Sequence, residues 1–330
     1  MVKKIAMNAP IFISGMPRSG TKLLRDIINN HSRISIPDSE THFIPEFMRT
    51  FGVSYDFGTD QQVQTVLDRF YQTKFYLRQS KPDIQLEHIY GLSPDVSWAS
   101  LFESILRYYG VKEDPCARFG DKTPGYILHL PLLCSIWPDI KMIHIVRDPR
   151  DYSASVKHAW GMSLRRAAYR WSITMKRAVA YRSRYSDNYL EVRYEILLSD
   201  PDTVIQKICE FIGCDFEPDL SELKHATENL GSVKGHIGLV KSNKNRYQEN
   251  LSTQAIKTIE GICCEPGKAL GYFNGEAINP IHLSGFQLLL LKLYDGLNAA
   301  WFHVQEKGIV KGSSYFLKLH KEGAFKGKAS

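Results

Sequence analysis

Residues 10–30 read PIFISGMPRSGTKLLRDIINN and predict three elements in immediate succession. The apolar run from Pro10 to Gly15 is typical of a buried β-strand. Gly15 to Thr21 is a tight turn rich in glycine, proline and serine. From Lys22 to Asn30, leucines and isoleucines recur at helical spacing, which predicts a helix. The order of strand, glycine-containing loop and helix favours an α/β fold.

The loop between this strand and this helix carries the groups that an anion site needs. Backbone N–H groups and the helix dipole attract a phosphate at a helix N-terminus, and Gly20 lets the backbone approach it closely. Arg18 adds a charged fork for oxyanions, and Ser19 and Thr21 add hydroxyl donors. The order Gly20-Thr21-Lys22 differs from the Gly-Lys-Ser/Thr of a Walker A loop, which disfavours ATP hydrolysis with magnesium. A simple structural turn is the alternative.

Further segments repeat the alternation of strands and helices. The sequence predicts strands at residues 118–121, 141–146 and 189–193, and helices at 126–136, 163–185 and 202–212. Such alternation implies right-handed crossovers and a parallel sheet. We therefore predict a P-loop-like three-layer α/β domain with a central parallel sheet of about five strands in residues 1–279. Residues 280–330 are interpreted as a C-terminal appendage, with a helix near 286–302 and a basic tail.

Composition limits the classes of protein and of partner. Of 330 residues, 43% are hydrophobic and 23% charged, which are ordinary globular values. The net charge of +7 suits an anionic ligand and equally well plain solubility. The six lysines and one acid of residues 307–330 indicate a solvated tail or peripheral membrane contact, and no nucleic-acid site. With no signal-peptide pattern and no cysteine pair at metal-site spacing, we expect no metal, free thiols and a cytoplasmic location.

The loop G-x-P-R-S-G-T resembles the phosphosulfate loop of sulfotransferases that use PAPS (3'-phosphoadenosine 5'-phosphosulfate). The similarity is to the membrane-type and bacterial branch, which includes the tyrosylprotein sulfotransferases. It implies that residues 1–279 form a sulfotransferase domain. It also implies that the 5'-phosphosulfate end of the donor is bound by Arg18, Ser19, Gly20, Thr21 and Lys22. The family often has a second threonine where this chain has Lys22.

A second resemblance lies in residues 141–155, KMIHIVRDPRDYSAS. The family's 3'-phosphate element is an arginine at a strand end and a serine eight residues later, which correspond to Arg147 and Ser155. Some relatives carry a further arginine at the position of Ala159. The family's V-x-Y-E-x-L segment corresponds to the region of Tyr194 and implies that this tyrosine lies near the nucleotide. A structural tyrosine at a strand end is the alternative.

A third resemblance lies in residues 241–247, KSNKNRY. In the family, a late basic loop that precedes a tryptophan closes over the nucleotide, which implies donor contacts for Lys244 and Arg246. Tyr247 replaces the tryptophan here. The alternative is a solvated charged loop.

Two short segments supply candidates for the chemistry. Residues 39–45, SETHFIP, resemble the E-T-x-x-I-P segment of the tyrosylprotein sulfotransferases, which implies that Glu40 is the base. Partial desolvation is needed to make a carboxylate basic near neutral pH. His42 is the alternative base, because other branches use histidine, and helix capping is a further alternative for Glu40. Lys122 lies in a K-T-P element that resembles the same branch and implies, with Arg18, stabilisation of the leaving phosphate.

The sequence thus predicts an enzyme that moves a sulfuryl group from PAPS to an acceptor hydroxyl or amine and releases PAP, the desulfated donor. One alternative is a P-loop kinase that uses ATP and magnesium. Another is a nucleotide-binding or scaffold protein without catalysis. The residues do not identify the acceptor, and a small or lipid-like alcohol is our preferred hypothesis.

Overall fold

A computed structural model describes residues 9–114, 117–227, 233–273 and 277–307, and side chains up to residue 298. Its strands are β1 (Ile11–Gly15), β2 (Ile34–Ser35), β3 (Arg118–Lys122), β4 (Lys141–Val146) and β5 (Tyr189–Arg193). They form one sheet in the order β2-β3-β1-β4-β5, and every neighbouring pair is parallel. The predicted parallel α/β sheet is confirmed.

Helices connect these strands and follow them. The helices are α1 (Thr21–Asn29), α2 (Ile44–Phe51), α3 (Asp60–Phe70), α4 (Leu86–Leu92), α5 (Trp98–Tyr108), α6 (Leu130–Ile136), α7 (Pro149–Trp160), α8 (Leu164–Arg184), α9 (Tyr194–Ser199), α10 (Pro201–Ile212), α11 (Tyr247–Asn250), α12 (Thr253–Ile262), α13 (Cys264–Ala269) and α14 (Gly285–Lys307). Short 3-10 helices lie at Tyr76–Arg78, Pro124–His129 and Ser186–Asn188. Among the helices described, none is long and apolar enough to cross a membrane.

The centre of the sheet is β1. Its residues Ile11, Phe12 and Ile13 are fully buried, as expected for a parallel strand covered on both faces. From β1 the chain builds β2 and β3 on one side and β4 and β5 on the other. This arrangement makes β1 the topological switch point, and ligands of open α/β sheets bind outside the carboxyl ends of the strands there.

The face of the sheet under α1 and α10 holds a continuous apolar core. Leu24 and Ile27 of α1 and Ile208 of α10 pack in the same cluster as Ile13 of β1 and Ile143 of β4. Full burial of one such side chain contributes roughly 1.5–3 kcal/mol. This packing explains why the apolar residues after the glycine loop recur at helical spacing, and it fixes the start of α1 against the end of β1.

The chain divides into two compact units. The first comprises residues 1–147, 180–229 and 233–241, and the second residues 148–179, 230–232 and 242–330. All five strands and α1 belong to the first unit. The helices α7, α11, α12, α13 and α14 belong to the second, as does most of α8. The boundary between residues 279 and 280 that the sequence suggested stays a prediction.

Some elements differ from the prediction. The two-residue strand β2 was not predicted, because two residues carry no periodicity. The helix predicted over 126–136 is a 3-10 helix at Pro124–His129 followed by α6. Pro131 lies in the first turn of α6, where a residue without an N–H fits the start of an α-helix but not its interior. The predicted C-terminal helix is α14, and residues 308–330 lie outside the described residues.

Candidate active site

The loop between β1 and α1 is held in a conformation with two residues of positive φ. Arg18 has φ 73° and Gly20, the residue before α1, has φ 92°. A left-handed backbone is uncommon for a residue such as arginine and marks a conformation imposed by its surroundings. Ser19 is 1% exposed, and its Oγ has no hydrogen-bond partner among the described residues. The loop therefore offers a buried hydroxyl beside the N-terminus of α1.

Arg147 and Tyr194 pack against this loop. Arg147 follows β4 directly and donates a hydrogen bond from Nη1 to the carbonyl oxygen of Arg18, at 3.0 Å. Its guanidinium lies 4.6 Å from the ring centroid of Tyr194, at the start of α9. A Cβ at Gly20 would lie 2.5 Å from the Tyr194 ring. The loop thus lies close to the ends of β4 and β5. Glycine is required at position 20 because the backbone has a positive φ and because a side chain would clash with Tyr194.

Glu40, Lys122 and His42 form a charged cluster beside the carboxyl end of β3. The Lys122 Nζ lies 2.5 Å from Glu40 Oε1, and His42 Nε2 lies 2.9 Å from Glu40 Oε2. Lys122 is 1% exposed, whereas the side chain of His42 is 62% exposed. In the sheet, Lys122 pairs with Ile13 of β1, two residues before Gly15. The Lys122 ammonium group is therefore carried by β3, the strand next to β1, at the carboxyl edge of the sheet where the glycine loop begins.

Hydrogen bonds from Thr41 hold the segment that carries Glu40, which we call the acidic loop (residues 38–43). The Thr41 hydroxyl lies 2.7 Å from the hydroxyl of Tyr126, and its N–H donates to Thr123 Oγ1 at 3.1 Å. At the other end, Arg25 of α1 donates to the carbonyl oxygen of Asp38 at 2.6 Å. These contacts fix the acidic loop to the segment that follows β3 and to the helix that follows the glycine loop.

The surroundings shift the pKa values of the acidic groups in opposite directions. Burial alone raises the pKa of Glu40, but the hydrogen bond from His42 and the charge of Lys122 outweigh it and lower this pKa to about 2. Burial raises the pKa of Asp121 to about 6, against the hydrogen bond from Thr123. Burial also lowers the pKa of Lys122, and Glu40 opposes that shift. Glu40 is therefore ionised and weakly basic while Lys122 and His42 both contact it.

In the second unit, the predicted basic loop is fixed to α7. The N–H of Tyr247 donates to Asp151 Oδ1 at 2.7 Å, and the guanidinium of Arg150 lies 4.1 Å from the Tyr247 ring centroid. Lys244 and Arg246, just before this tyrosine, are half-buried. Tyr247 thus anchors the loop to α7, and the donor contacts of Lys244 and Arg246 stay a prediction.

Ser155 lies in the same unit, on α7, and is half-buried. Ala159, one turn later, is 7% exposed. The 3'-phosphate role of Ser155 rests on the resemblance alone and stays a prediction.

The structure brings together most, but not all, of the predicted residues. Arg18, Ser19, Gly20, Arg147 and Tyr194 converge in the first unit. Thr21 is buried and Lys22 half-buried in the first turn of α1. Glu40 and Lys122 were predicted as separate functional groups, and their ion pair was not foreseen.

Sequence reasoning missed the residues that support this pair. His42 was treated as the rival of Glu40 and proves to be its hydrogen-bond partner. Thr41, Thr123 and Tyr126 were not predicted at all. The only signal for them is that a threonine follows each charged residue, in Glu40-Thr41 and Lys122-Thr123.

Comparison with known proteins finds a matching family. The model of the Sulfotransferase family matches residues 10–218, which include the glycine loop, the acidic loop, Lys122, Arg147 and Tyr194. The chain belongs to the sulfotransferase family. The resemblance seen in the glycine loop is therefore confirmed.

The related sulfotransferases are distant. Protein-tyrosine sulfotransferase 1 of Danio rerio is 22% identical over 235 residues, which cover 68% of this chain and 58% of that protein. Carbohydrate sulfotransferase 2 of Mus musculus is 30% identical over 90 residues, 26% of this chain and 17% of that protein. An uncharacterized protein of Aquifex aeolicus (strain VF5) is 22% identical over 272 residues, 76% of this chain and 32% of that protein. The chain thus spans less than two thirds of each of these relatives.

Two solved sulfotransferase structures are also similar to this chain. The sulfotransferase domain from the curacin biosynthetic pathway has a TM-score of 0.48 and 20% identity, covering 76% of this chain and 96% of that domain. Mouse sulfotransferase SULT7A1, complexed with PAP, has a TM-score of 0.41 and 15% identity, covering 87% of this chain and 88% of that protein.

Proposed function

We propose that this protein transfers a sulfuryl group from PAPS to an acceptor hydroxyl or amine and releases PAP. The observation that carries the proposal is the Lys122–Glu40 ion pair, one strand away from the glycine loop. A carboxylate for the acceptor proton and a buried ammonium for the leaving phosphate are the two groups that sulfuryl transfer requires. In addition, membership of the sulfotransferase family supports PAPS as the donor.

The glycine loop fits the phosphosulfate end of the donor. Ser19 Oγ is buried without a partner in the described part of the chain, and Gly20 leaves the backbone open to a close approach at the start of α1. Arg18 and Arg147 add two guanidinium groups at the same edge of the sheet. Ser19, Gly20 and Arg18 would bind the phosphosulfate, and Tyr194 would contact the nucleotide.

In the transfer step, Glu40 takes the proton from the acceptor as its oxygen or nitrogen attacks sulfur. The bond between sulfur and the bridging oxygen of the donor breaks, and the electron pair stays on that oxygen, which becomes part of the phosphate of PAP. Lys122 and Arg18 stabilise the negative charge that develops there. Charged donors fixed before the reaction, in a site with little water, are an effective way to lower such a barrier.

The strength of Glu40 as a base depends on Lys122. Without donor, Lys122 and His42 hold the pKa of Glu40 at about 2, which is too low for an efficient base near neutral pH. When Lys122 binds the bridging oxygen of the donor, Glu40 loses the hydrogen bond and the charge of Lys122, and burial then raises its pKa. Donor binding thereby makes Glu40 a stronger base at the moment when it is needed.

Calorimetric titration with PAP, with and without magnesium and with ATP as comparator, tests the donor site. We expect PAP binding that does not need magnesium and that weakens at least tenfold in Arg147→Ala. Arg49→Ala is the matched control, because Arg49 is an exposed arginine of α2, and it is expected to keep the wild-type affinity. Magnesium-dependent ATP binding without PAP binding would instead indicate a kinase.

Turnover separates an enzyme from a binding protein. With PAPS and a panel of alcohols, phenols and amines as acceptors, release of PAP is expected from the wild type and not from a Glu40→Gln, Lys122→Ala double variant. PAP binding without turnover on any acceptor indicates a nucleotide-binding protein without catalysis. The preference for a small or lipid-like alcohol, and the cytoplasmic location, stay predictions.

A further inference from the structure

One face of α14 exposes a continuous row of large apolar side chains, which we call the apolar stripe. It consists of Phe286, Leu289, Leu290, Leu293, Tyr294 and Leu297, and these side chains are between 49% and 72% exposed. At 100° per residue they fall within an arc of about 140° on the helix surface. Single exposed leucines are ordinary, whereas a contiguous apolar patch marks an interaction site.

The face of α14 opposite to the apolar stripe makes contacts within the second unit, so the stripe itself is exposed. Asp295 is 6% exposed. It accepts a hydrogen bond from the N–H of Ser163 at 2.8 Å and lies 2.8 Å from the guanidinium of Arg166. Asn298 donates to the carbonyl oxygen of Gly161 at 3.4 Å. The helix is therefore anchored through polar contacts to the turn between α7 and α8 and to the first turn of α8. The apolar stripe lies on the side of the helix away from Asp295.

We propose that α14 lies on an anionic membrane surface, with the apolar stripe inserted among the lipid chains. The proposal is independent of the proposed sulfotransferase activity. Leucines with aromatic residues at the interface and basic residues alongside are the composition of helices that bind at bilayer surfaces.

Charge complementarity favours an anionic lipid surface as the occupant. Residues 307–330, which follow the stripe, contain six lysines and only one acid. Lysines close to an anionic membrane are attracted to its negative surface potential and strengthen attachment. Lys292, on the helix itself, is exposed. The stripe and the basic segment therefore supply the two signals, apolar and electrostatic, that stable attachment to a bilayer requires.

The size and chemistry of the stripe disfavour a second copy of the chain. A stable protein interface uses about 20 to 30 residues on each side and about one hydrogen bond per 100–200 Å². The apolar stripe has six residues, and its only polar group is the hydroxyl of Tyr294. A bilayer needs neither a large partner surface nor directional hydrogen bonds.

Vesicle co-sedimentation of the full chain tests the proposal. The vesicles are phosphatidylcholine alone or with about 30% phosphatidylglycerol, an anionic lipid. The double variant Leu289→Glu, Leu293→Glu alters the stripe. The control Leu77→Glu, Ile237→Glu makes the same change of charge at two other exposed apolar positions. Circular dichroism checks that both variants are folded.

We expect the wild type and the control to bind the anionic vesicles, and the stripe variant to bind them at least tenfold more weakly. Binding of the wild type to phosphatidylcholine alone is expected to be weaker than to the anionic mixture. The proposal is overturned if the wild type does not bind, if the stripe variant binds as the wild type does, or if the anionic lipid makes no difference. Sedimentation velocity without lipid adds one more outcome: a wild-type dimer that the stripe variant dissociates, without vesicle binding, identifies a second copy as the occupant.

Discussion

Glu40 must be ionised to accept a proton, but the contacts that keep it ionised also weaken it as a base. Its contacts with Lys122 and His42 keep it ionised and oriented in the absence of ligands, and the same contacts make it a poor proton acceptor. Removal of the Lys122 contact changes the balance, because the Glu40 side chain is only 28% exposed, and burial favours its neutral form. The chemistry assigned to Glu40 therefore depends on its neighbours as much as on its own identity.

The roles of Glu40 and His42 are separable by the pH dependence of kcat/KM. Glu40→Gln is expected to lower kcat by about 10²- to 10⁴-fold while PAP affinity stays close to the wild-type value. His42→Gln removes the hydrogen bond that most lowers the pKa of Glu40, so this pKa rises from about 2. With PAPS saturating, so that Lys122 binds the donor, the acid limb of kcat/KM for the acceptor is measured from pH 4 to 8. We expect this limb to move to higher pH in His42→Gln, because Glu40 must be ionised to accept a proton.

A different result is expected if His42, and not Glu40, is the base. If His42→Gln loses as much activity as Glu40→Gln at every pH, then histidine is the base and Glu40 orients it. An acid limb that does not move in His42→Gln contradicts the effect assigned to the Glu40–His42 hydrogen bond.

Asp121 makes the stability of the protein depend on pH. Its carboxyl is fully buried, and burial raises its pKa from the usual 3.8 to about 6. Between these values the folded state binds more protons than the unfolded state, so the free energy of unfolding falls as pH rises from about 4 to about 6. Two pKa units correspond to about 3 kcal/mol.

Asp121→Asn is expected to remove this dependence. The measurement is urea unfolding at pH 4, 5, 6 and 7, in the variant and in Asp139→Asn as the exposed control. The difference in unfolding free energy between Asp121→Asn and the wild type is expected to grow with pH and to level off above pH 6. A difference that is constant over this range shows that Asp121 does not titrate there.

At the scale of elements, the segment β1–loop–α1 could be predicted because local signals agree. An apolar run, a glycine-rich turn and a helical spacing of leucines lie next to one another in residues 10–30. The core contacts of Leu24 and Ile27 confirm the spacing. The strand β2 has two residues and no such signal, and it forms because it pairs with β3, more than eighty residues away in the sequence.

The acidic loop is the part of the site that sequence alone could not place. The resemblance of two short segments to the family suggested Glu40 and Lys122. Their contact, however, spans 82 positions, and Thr41 beside Glu40 is held by Thr123 and Tyr126. Side-chain hydrogen bonds of this kind have no periodicity. They depend on the fold being complete, so residue patterns identify the chemical groups and leave their mutual geometry open.

Gly20→Ala tests the packing of the glycine loop. The φ of 92° and the Cβ contact of 2.5 Å with the Tyr194 ring both oppose a side chain, so we expect a loss of about 1–3 kcal/mol in unfolding free energy. PAP affinity is expected to fall at least tenfold, because Tyr194 or the loop must move. Gly125→Ala is the control, since nothing lies within 4 Å of its added Cβ. Wild-type stability and affinity in Gly20→Ala contradict the close packing of loop and tyrosine.

Thr41→Val tests the attachment of the acidic loop to the 3-10 helix that follows β3. Valine has nearly the same shape but loses the contact with the buried hydroxyl of Tyr126, which costs about 1–3 kcal/mol. We expect a lower kcat and a nearly unchanged PAP affinity, because the glycine loop is not altered. Thr65→Val, at an exposed position of α3, is the control. An equal loss of kcat and PAP affinity points to general unfolding, which thermal denaturation reveals.

At the scale of the whole molecule, the net charge follows directly from the sequence, whereas the division into two units does not. The net charge of +7 is a sum over residues and needs no structure. The division into two units is different, because residues 180–229 belong with the first unit. They do so because β5 pairs with β4, and a pairing between distant segments is not visible in local composition.

The net positive charge predicts that donor binding weakens with salt. PAP has two phosphate groups, each with about −1.5 to −2 charges, and the site offers Arg18, Lys22 and Arg147. Raising potassium chloride from about 50 to 500 mM shortens the screening length from more than 10 Å to less than 5 Å, so we expect the Kd for PAP to rise about three- to tenfold. Burial of Arg147 and Lys122 limits the loss of affinity, because buried charges are screened less.

Adenosine, which has no phosphate, is the control ligand, and its binding is expected to stay constant over the same range of salt. A Kd for PAP that is independent of salt would show that hydrogen bonds, and not the cations of the glycine loop and β4, supply the affinity.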